Sequence, residues 1–167
     1  GMPYIAFLDE INRQNPNKHM GTIPCVNLCT ESFSVVVPDE LMHTCNLASL
    51  VVGRIELKDI QYYAGLTTRI LDNGIALTQS PTEESNKHNN LIARENKSFL
   101  NAEFASDVME NIQYGCVKES VQLAKERGRY PAYDGSEWDN GNKLKTYKEK
   151  GKLDWKALED ELSIYGI

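Results

Sequence analysis

The sequence predicts a single-domain α/β chain, with extended elements over residues 1–55 and mainly helices over residues 56–167. Three observations lead there. Short apolar or β-branched runs without helical spacing, Pro3–Leu8 and Ser32–Val37, fall in the first third. A helical stripe follows at positions 57, 60, 64, 70, 71 and 75, with Thr67 in its middle slot. A second stripe runs through 104, 108, 109, 112, 116, 117, 121 and 124.

Taken in order, Pro3–Leu8 reads as a buried strand, and Asp9–Asn17 as a solvated loop broken by Pro16 between asparagines. Thr22–Val37 reads as two extended halves, and Pro38-Asp39-Glu40 as a turn or helix start. Cys45–Ile55 is apolar on both sides and is expected to be buried. Leu57–Leu77 is the first long helix, with Tyr62 and Tyr63 as packing or surface residues. Pro81-Thr82-Glu83-Glu84-Ser85 has the residues of a capped helix start. Phe99–Arg127 is the second long helix, which Gly128 is placed to end and in whose core Cys116 belongs. A Gly-, Pro- and Asp-rich loop comes next, then the five lysines of Lys143–Lys152, read as a mobile, solvated face. Asp154 caps a last helix and Gly166 stops it.

Chemistry concentrates between Gly21 and Leu50, around Asn27-Leu28-Cys29-Thr30-Glu31. In an extended chain Asn27, Cys29 and Glu31 share one side. At a rise of roughly 3.3 Å per residue the outer two stand about 13 Å apart, room for one sugar-sized ligand. A carboxylate beside a thiol disfavours thiolate, so this pattern suits a neutral S–H and hydrogen-atom transfer better than nucleophilic attack. Glu31 is then the candidate general base, and Asn27 the orienting amide. Cys45 is a second thiol that returns beside the first if the chain doubles back.

The words GTIPCVNLCTES (21–32) and HTCNLASL (43–50) resemble the active-site region of the class I ribonucleotide reductase large subunit. That resemblance implies a partial ten-stranded α/β barrel, with the Asn-x-Cys-x-Glu motif on a finger loop. The whole chain, 1–167, would be one partial catalytic-barrel domain. It also implies roles: Cys29 as the transient thiyl that takes the ribose 3′-hydrogen, Glu31 as base for the 3′-hydroxyl, and Asn27 as a binder of the substrate hydroxyls. Cys45 corresponds to one of two reducing cysteines. The implied substrate is a ribonucleoside diphosphate. The implied partners are the rest of the large subunit, a separate metal-containing small subunit that supplies the radical, and thioredoxin or glutaredoxin, with no cofactor or metal in this chain. Within the resemblance, Lys87 and His88 remain from a basic cluster, and roughly one strand–helix unit is missing after Asn90. The other reducing cysteine has no counterpart here, so the chain is expected not to turn over ribonucleotides alone. A fragment, a piece of a split enzyme and a degenerate copy all fit that expectation.

Two alternatives stay open at this point. One is a piece of a cobalamin-dependent class II reductase. The other is a non-catalytic thiol or zinc module built on Cys25, Cys29, His43 and Cys45, whose spacing lacks the tight C-x-x-C pairs of common zinc sites. A Cys29–His43 nucleophile pair is disfavoured by Glu31. The net charge of −6 argues against broad binding to nucleic acid or anionic membranes. With no long apolar run and four scattered cysteines, the expected setting is a reducing cytoplasm.

Overall fold

A computed structural model describes residues 4–92 and 107–167. Among these, six α-helices carry the architecture: α1 (Leu8–Gln14), α2 (Ile60–Leu77), α3 (Glu83–Leu91), α4 (Asp107–Arg127), α5 (Asn142–Lys150) and α6 (Trp155–Tyr165). The part of the second long stripe that precedes Asp107 lies outside the described residues.

The expected barrel is not there. Among the described residues the β structure amounts to isolated bridges such as Val37–Leu41, and no parallel strands lie side by side. A barrel needs each strand to pair with a neighbour on both edges. Among the described residues the extended-looking runs have no such neighbours. Tyr4, Ile5 and Phe7, expected in a buried strand, are exposed. The chain turns helical at Leu8, where Asp9 and Glu10 in the first turn and Arg13 in the last complement the helix dipole. Cys45–Ile55, expected to be buried, carries exposed Leu47 and Val51. Lys143–Lys150, expected to be mobile, lies in α5, whose Leu144 is fully buried.

The helical half follows the sequence pattern closely. α2 and α4 pack along their length, with Ile60 and Ala64 against Ile112 and Cys116. Gly115 allows the approach: a Cβ there would lie 2.5 Å from the Gln61 carbonyl oxygen and 2.9 Å from its Cα. Arg69 on α2 bridges to Glu119 and Glu126 on α4, and Arg127 reaches back to buried Asp72 at 2.6 Å. Asp154 caps α6 through the Ala157 amide at 3.0 Å. Gly128 and Gly166 follow α4 and α6 at φ +82° and +76°, in the left-handed region.

The larger core gathers Trp155, Leu158 and Leu162 of α6 with Val117, Val121, Tyr130, Tyr133, Trp138 and Leu144. Val35, Leu41 and Ile92 join it, which ties the segment around the Asn27–Glu31 motif to the helices. Glu110 of α4 pins the link between α5 and α6: its Oε1 accepts from the Lys152 and Leu153 amides at 2.6 and 2.8 Å and from Trp155 Nε1 at 2.9 Å. No helix among the described residues is long and apolar enough to cross a membrane.

Candidate active site

The Asn27–Glu31 motif forms a turn, not the straight strand expected. The Thr30 amide donates to the Asn27 carbonyl at 3.0 Å, and Thr30 itself takes φ +60°. Asn27 organises this turn with its side chain. Its Oδ1 accepts from the amides of Glu31 and Ser32 at 3.1 and 2.9 Å, the bonding of an Asx-type turn. The Asn27 and Glu31 side chains therefore meet directly, with Nδ2 donating to Oε1 at 2.5 Å.

Cys45 completes the cluster. The chain reverses at Pro38–Glu40 as the sequence indicated, with the Val37 and Leu41 amides exchanging bonds with each other's carbonyls at 3.0 and 2.8 Å. That hairpin-like reversal returns Cys45 to Glu31, its Sγ donating to Oε1 at 3.7 Å and lying 3.8 Å from Asn27 Nδ2. The reversal, expected to return Cys45 beside Cys29, brings it to Glu31 and Asn27. Cys29 sits at the apex of the turn and is exposed, as are Cys25 and Cys45, while Cys116 is buried. The thiol beside Glu31 is accordingly Cys45. Glu31 Oε2 is enclosed and has no hydrogen-bonding partner among the described residues.

Behind this cluster lies a polar layer whose organisation is not apparent from the motif. Ser32 and Ser34 are buried, and each hydroxyl meets one histidine: Ser32 Oγ with His43 Nε2 at 2.8 Å, and Ser34 Oγ with His88 Nε2 at 2.7 Å. The two imidazoles stand edge to face, 5.2 Å between centroids. Thr44 donates to Asn89 Oδ1, and Asn89 Nδ2 donates to Ser80 Oγ at 2.7 Å. Burial pushes the His43 imidazole below the ordinary histidine range. Burial first, and the neighbouring His43 ring second, take His88 down to about 4. Both Nδ1 atoms are enclosed without partners among the described residues. A charged ring must donate from both nitrogens, so this arrangement favours neutral ones.

One alternative from the sequence falls here, and four residues join the site. The zinc set of Cys25, Cys29, His43 and Cys45 is not assembled, since His43 Nε2 faces Ser32. Among the described residues no group of three His, Cys, Asp or Glu side chains is placed to hold a metal ion. Ser32, Ser34, Thr44 and Asn89 went unnoticed in the sequence. Their only advance signal is that Ser32 and Ser34 alternate, which puts both hydroxyls on one side.

A family model described as the ribonucleotide reductase barrel domain matches residues 1–95 and 96–167. The chain belongs to this family. The two matched segments meet just past Asn90, near the expected missing unit. Among curated relatives, the ribonucleoside-diphosphate reductase subunit alpha of Synechocystis sp. is 39% identical over 188 residues, covering 100% of this chain and 24% of the relative. The subunit alpha of Treponema pallidum is 29% identical and the large subunit of Caenorhabditis elegans 28%, again over 100% of this chain and 25% and 24% of theirs. The chain thus spans about a quarter of the length of these relatives.

Proposed function

We propose that this chain supplies the radical-bearing part of a ribonucleoside-diphosphate reductase and acts only together with the rest of a large subunit. Cys29 is the thiol that becomes a thiyl radical and abstracts hydrogen from the ribose 3′ carbon. Its exposed position at the apex of a turn suits a group that must meet a substrate entering from outside. Glu31 accepts the 3′-hydroxyl proton as the 2′-hydroxyl leaves as water. Cys45 and a second thiol from elsewhere in the large subunit supply the two electrons and two protons of the reduction and end as a disulfide. Glu31 then returns its proton to the 3′ oxygen, and Cys29 returns its hydrogen to the 3′ carbon and is a thiyl again. Asn27 holds the Glu31 carboxylate and binds the substrate hydroxyls.

One observation carries this reading: Asn27, Glu31 and Cys45 converge within hydrogen-bonding reach while Glu31 Oε2 has no partner among the described residues. Leaving a buried acceptor unsatisfied costs about 1–3 kcal/mol, which a substrate hydroxyl would relieve. The radical comes from a separate metal-containing subunit and the reducing equivalents from thioredoxin or glutaredoxin, in a cytoplasmic setting. The product is the deoxyribonucleotide needed for DNA replication.

The test is reconstitution. Combined with the remaining large-subunit segments, the small subunit and a dithiol reductant, the wild-type chain is expected to restore formation of deoxyribonucleoside diphosphate. The Cys29→Ser chain is expected to give none, because an alcohol O–H bond is too strong to take the thiol's part. Equal product from the two chains rejects the assignment.

A further inference from the structure

We propose that α3 is the positioning element of this site: His88 and Asn89, adjacent near its C-terminal end, hold Ser34 and Thr44 and so set where Glu31 and Cys45 meet. The significance for catalysis rests on the reductase reading above; the positioning itself does not.

The site has two limbs, and α3 grips both. On the first, Ser34 follows Glu31 by three residues and its hydroxyl is bonded to His88 Nε2 at 2.7 Å. On the second, Thr44 immediately precedes Cys45 and donates to Asn89 Oδ1. A third contact comes from the same helix, where the Met42 amide donates to the Glu84 carbonyl at 3.3 Å. The helix is itself firmly held. Thr82 and Ser85 form a reciprocal capping box at its start, and Ile92 just beyond its end is fully buried in the main core. His88 is 0% exposed and Asn89 6%, so neither is a surface residue adopting a casual contact. His43 is packed edge-on against His88 and bonded to Ser32, which makes a second strut between the limbs. Loops positioned by a rigid scaffold are where reactive groups gain their geometry. Here the scaffold is one nine-residue helix.

The experiment reads Cys45, whose contact with Glu31 depends on the two limbs staying in register. Cys45 Sγ is held against Glu31 Oε1 and Asn27 Nδ2, so separating the limbs frees it to meet a reagent and should speed alkylation at Cys45. Iodoacetamide labelling of the full chain, resolved by peptide mass spectrometry, follows each cysteine separately, with buried Cys116 as the control for intact folding. Ser34→Ala and His88→Ala are each expected to raise the Cys45 rate by about threefold or more. His88→Gln, which keeps a side-chain amide for Ser34, is expected to stay near wild type, and Cys116 to remain protected throughout. An unchanged Cys45 rate in both alanine variants overturns the proposal, as does a His88→Gln rate as high as that of His88→Ala. If His88→Ala also opens Cys116, Ser34→Ala decides alone: a rise supports positioning and no change rejects it. None of these readouts needs nucleotide reduction, so failure here and failure of the reductase assignment are separable.

Discussion

Glu110 and Glu31 are two carboxylates in enclosed settings, and the protein treats them in opposite ways. Glu110 is fully engaged at one oxygen: Oε1 accepts from two amides and an indole, and the α5–α6 link closes around it. Glu31 has one oxygen shared between an amide and a thiol and the other without a partner among the described residues. A carboxylate oxygen that holds three donors contributes to stability. One that is left short contributes little and is available for a reaction. The same contrast separates the two halves of the molecule. The helical half satisfies its backbone internally and adds side-chain contacts. The segment from Gly21 to Ile55 relies on side chains to satisfy its backbone: Asn12 both donates to and accepts from Ile23, and Asn27 holds two amides.

The largest break in this comparison is Glu110→Ala. It leaves three donors without their acceptor and is expected to cost about 3 kcal/mol, read by chemical denaturation. A cost below 1 kcal/mol would show that the Glu110 carboxylate is not structural. Next comes Gly115→Ala, where a Cβ collides with the Gln61 backbone and forces α2 from α4, for about 2 kcal/mol. Gly65→Ala on the facing helix meets only ordinary contacts, 3.4 Å at nearest, and should be neutral or slightly stabilising. Equal effects at the two glycines would remove the close approach from the account.

Between these two regions the sequence was legible to different degrees. Periodic burial wrote the helices plainly. The stripe from Leu57 gave α2, and the caps at Thr82, Asp154 and Gly166 are where composition put them. The β-branched run Ser32–Val37 misled, because strand propensity expresses itself only where a neighbouring strand offers bonds, and none does here among the described residues. The site residues were readable as identities but not as geometry. Asn27, Glu31 and Cys45 meet because Asn27 folds the chain into a turn, and a five-residue motif does not announce its own turn. The histidine layer was less readable still, since Ser34 and His88 are 54 residues apart.

Acid should sharpen the contrast through that layer. His88 has its folded-state value lowered to about 4 from an ordinary 6.5. The unfolded chain therefore binds a proton first, so the histidine's contribution is full above about pH 6.5 and is lost as pH falls towards 4. With the ring fully buried, the loss over that window is on the order of 2 kcal/mol, and His88→Gln should remove it. A wild-type stability profile as flat as that of His88→Gln between these limits would contradict a neutral, buried His88.

Smaller in stability, and more local, is Asn27→Ala, expected to cost about 1 kcal/mol and to speed hydrogen exchange at the Glu31 and Ser32 amides while α2 and α4 keep their protection. Smallest is Glu31→Gln. It should change stability by no more than about 0.5 kcal/mol yet lower reductase activity of the reconstituted enzyme by about 10²–10⁴-fold. That split is the signature of a carboxylate held for chemistry. A stability loss like that of Glu110→Ala would place Glu31 with the structural groups instead.

The most direct measurement follows the ribose hydrogen itself. A ribonucleoside diphosphate deuterated at the 3′ carbon, given to the reconstituted enzyme, should turn over more slowly than the unlabelled one with wild-type chain and not at all with Cys29→Ser, because Cys29, in the function proposed above, breaks that C–H bond. Turnover with wild type that is indifferent to the isotope, together with equal consumption by Cys29→Ser, would contradict it.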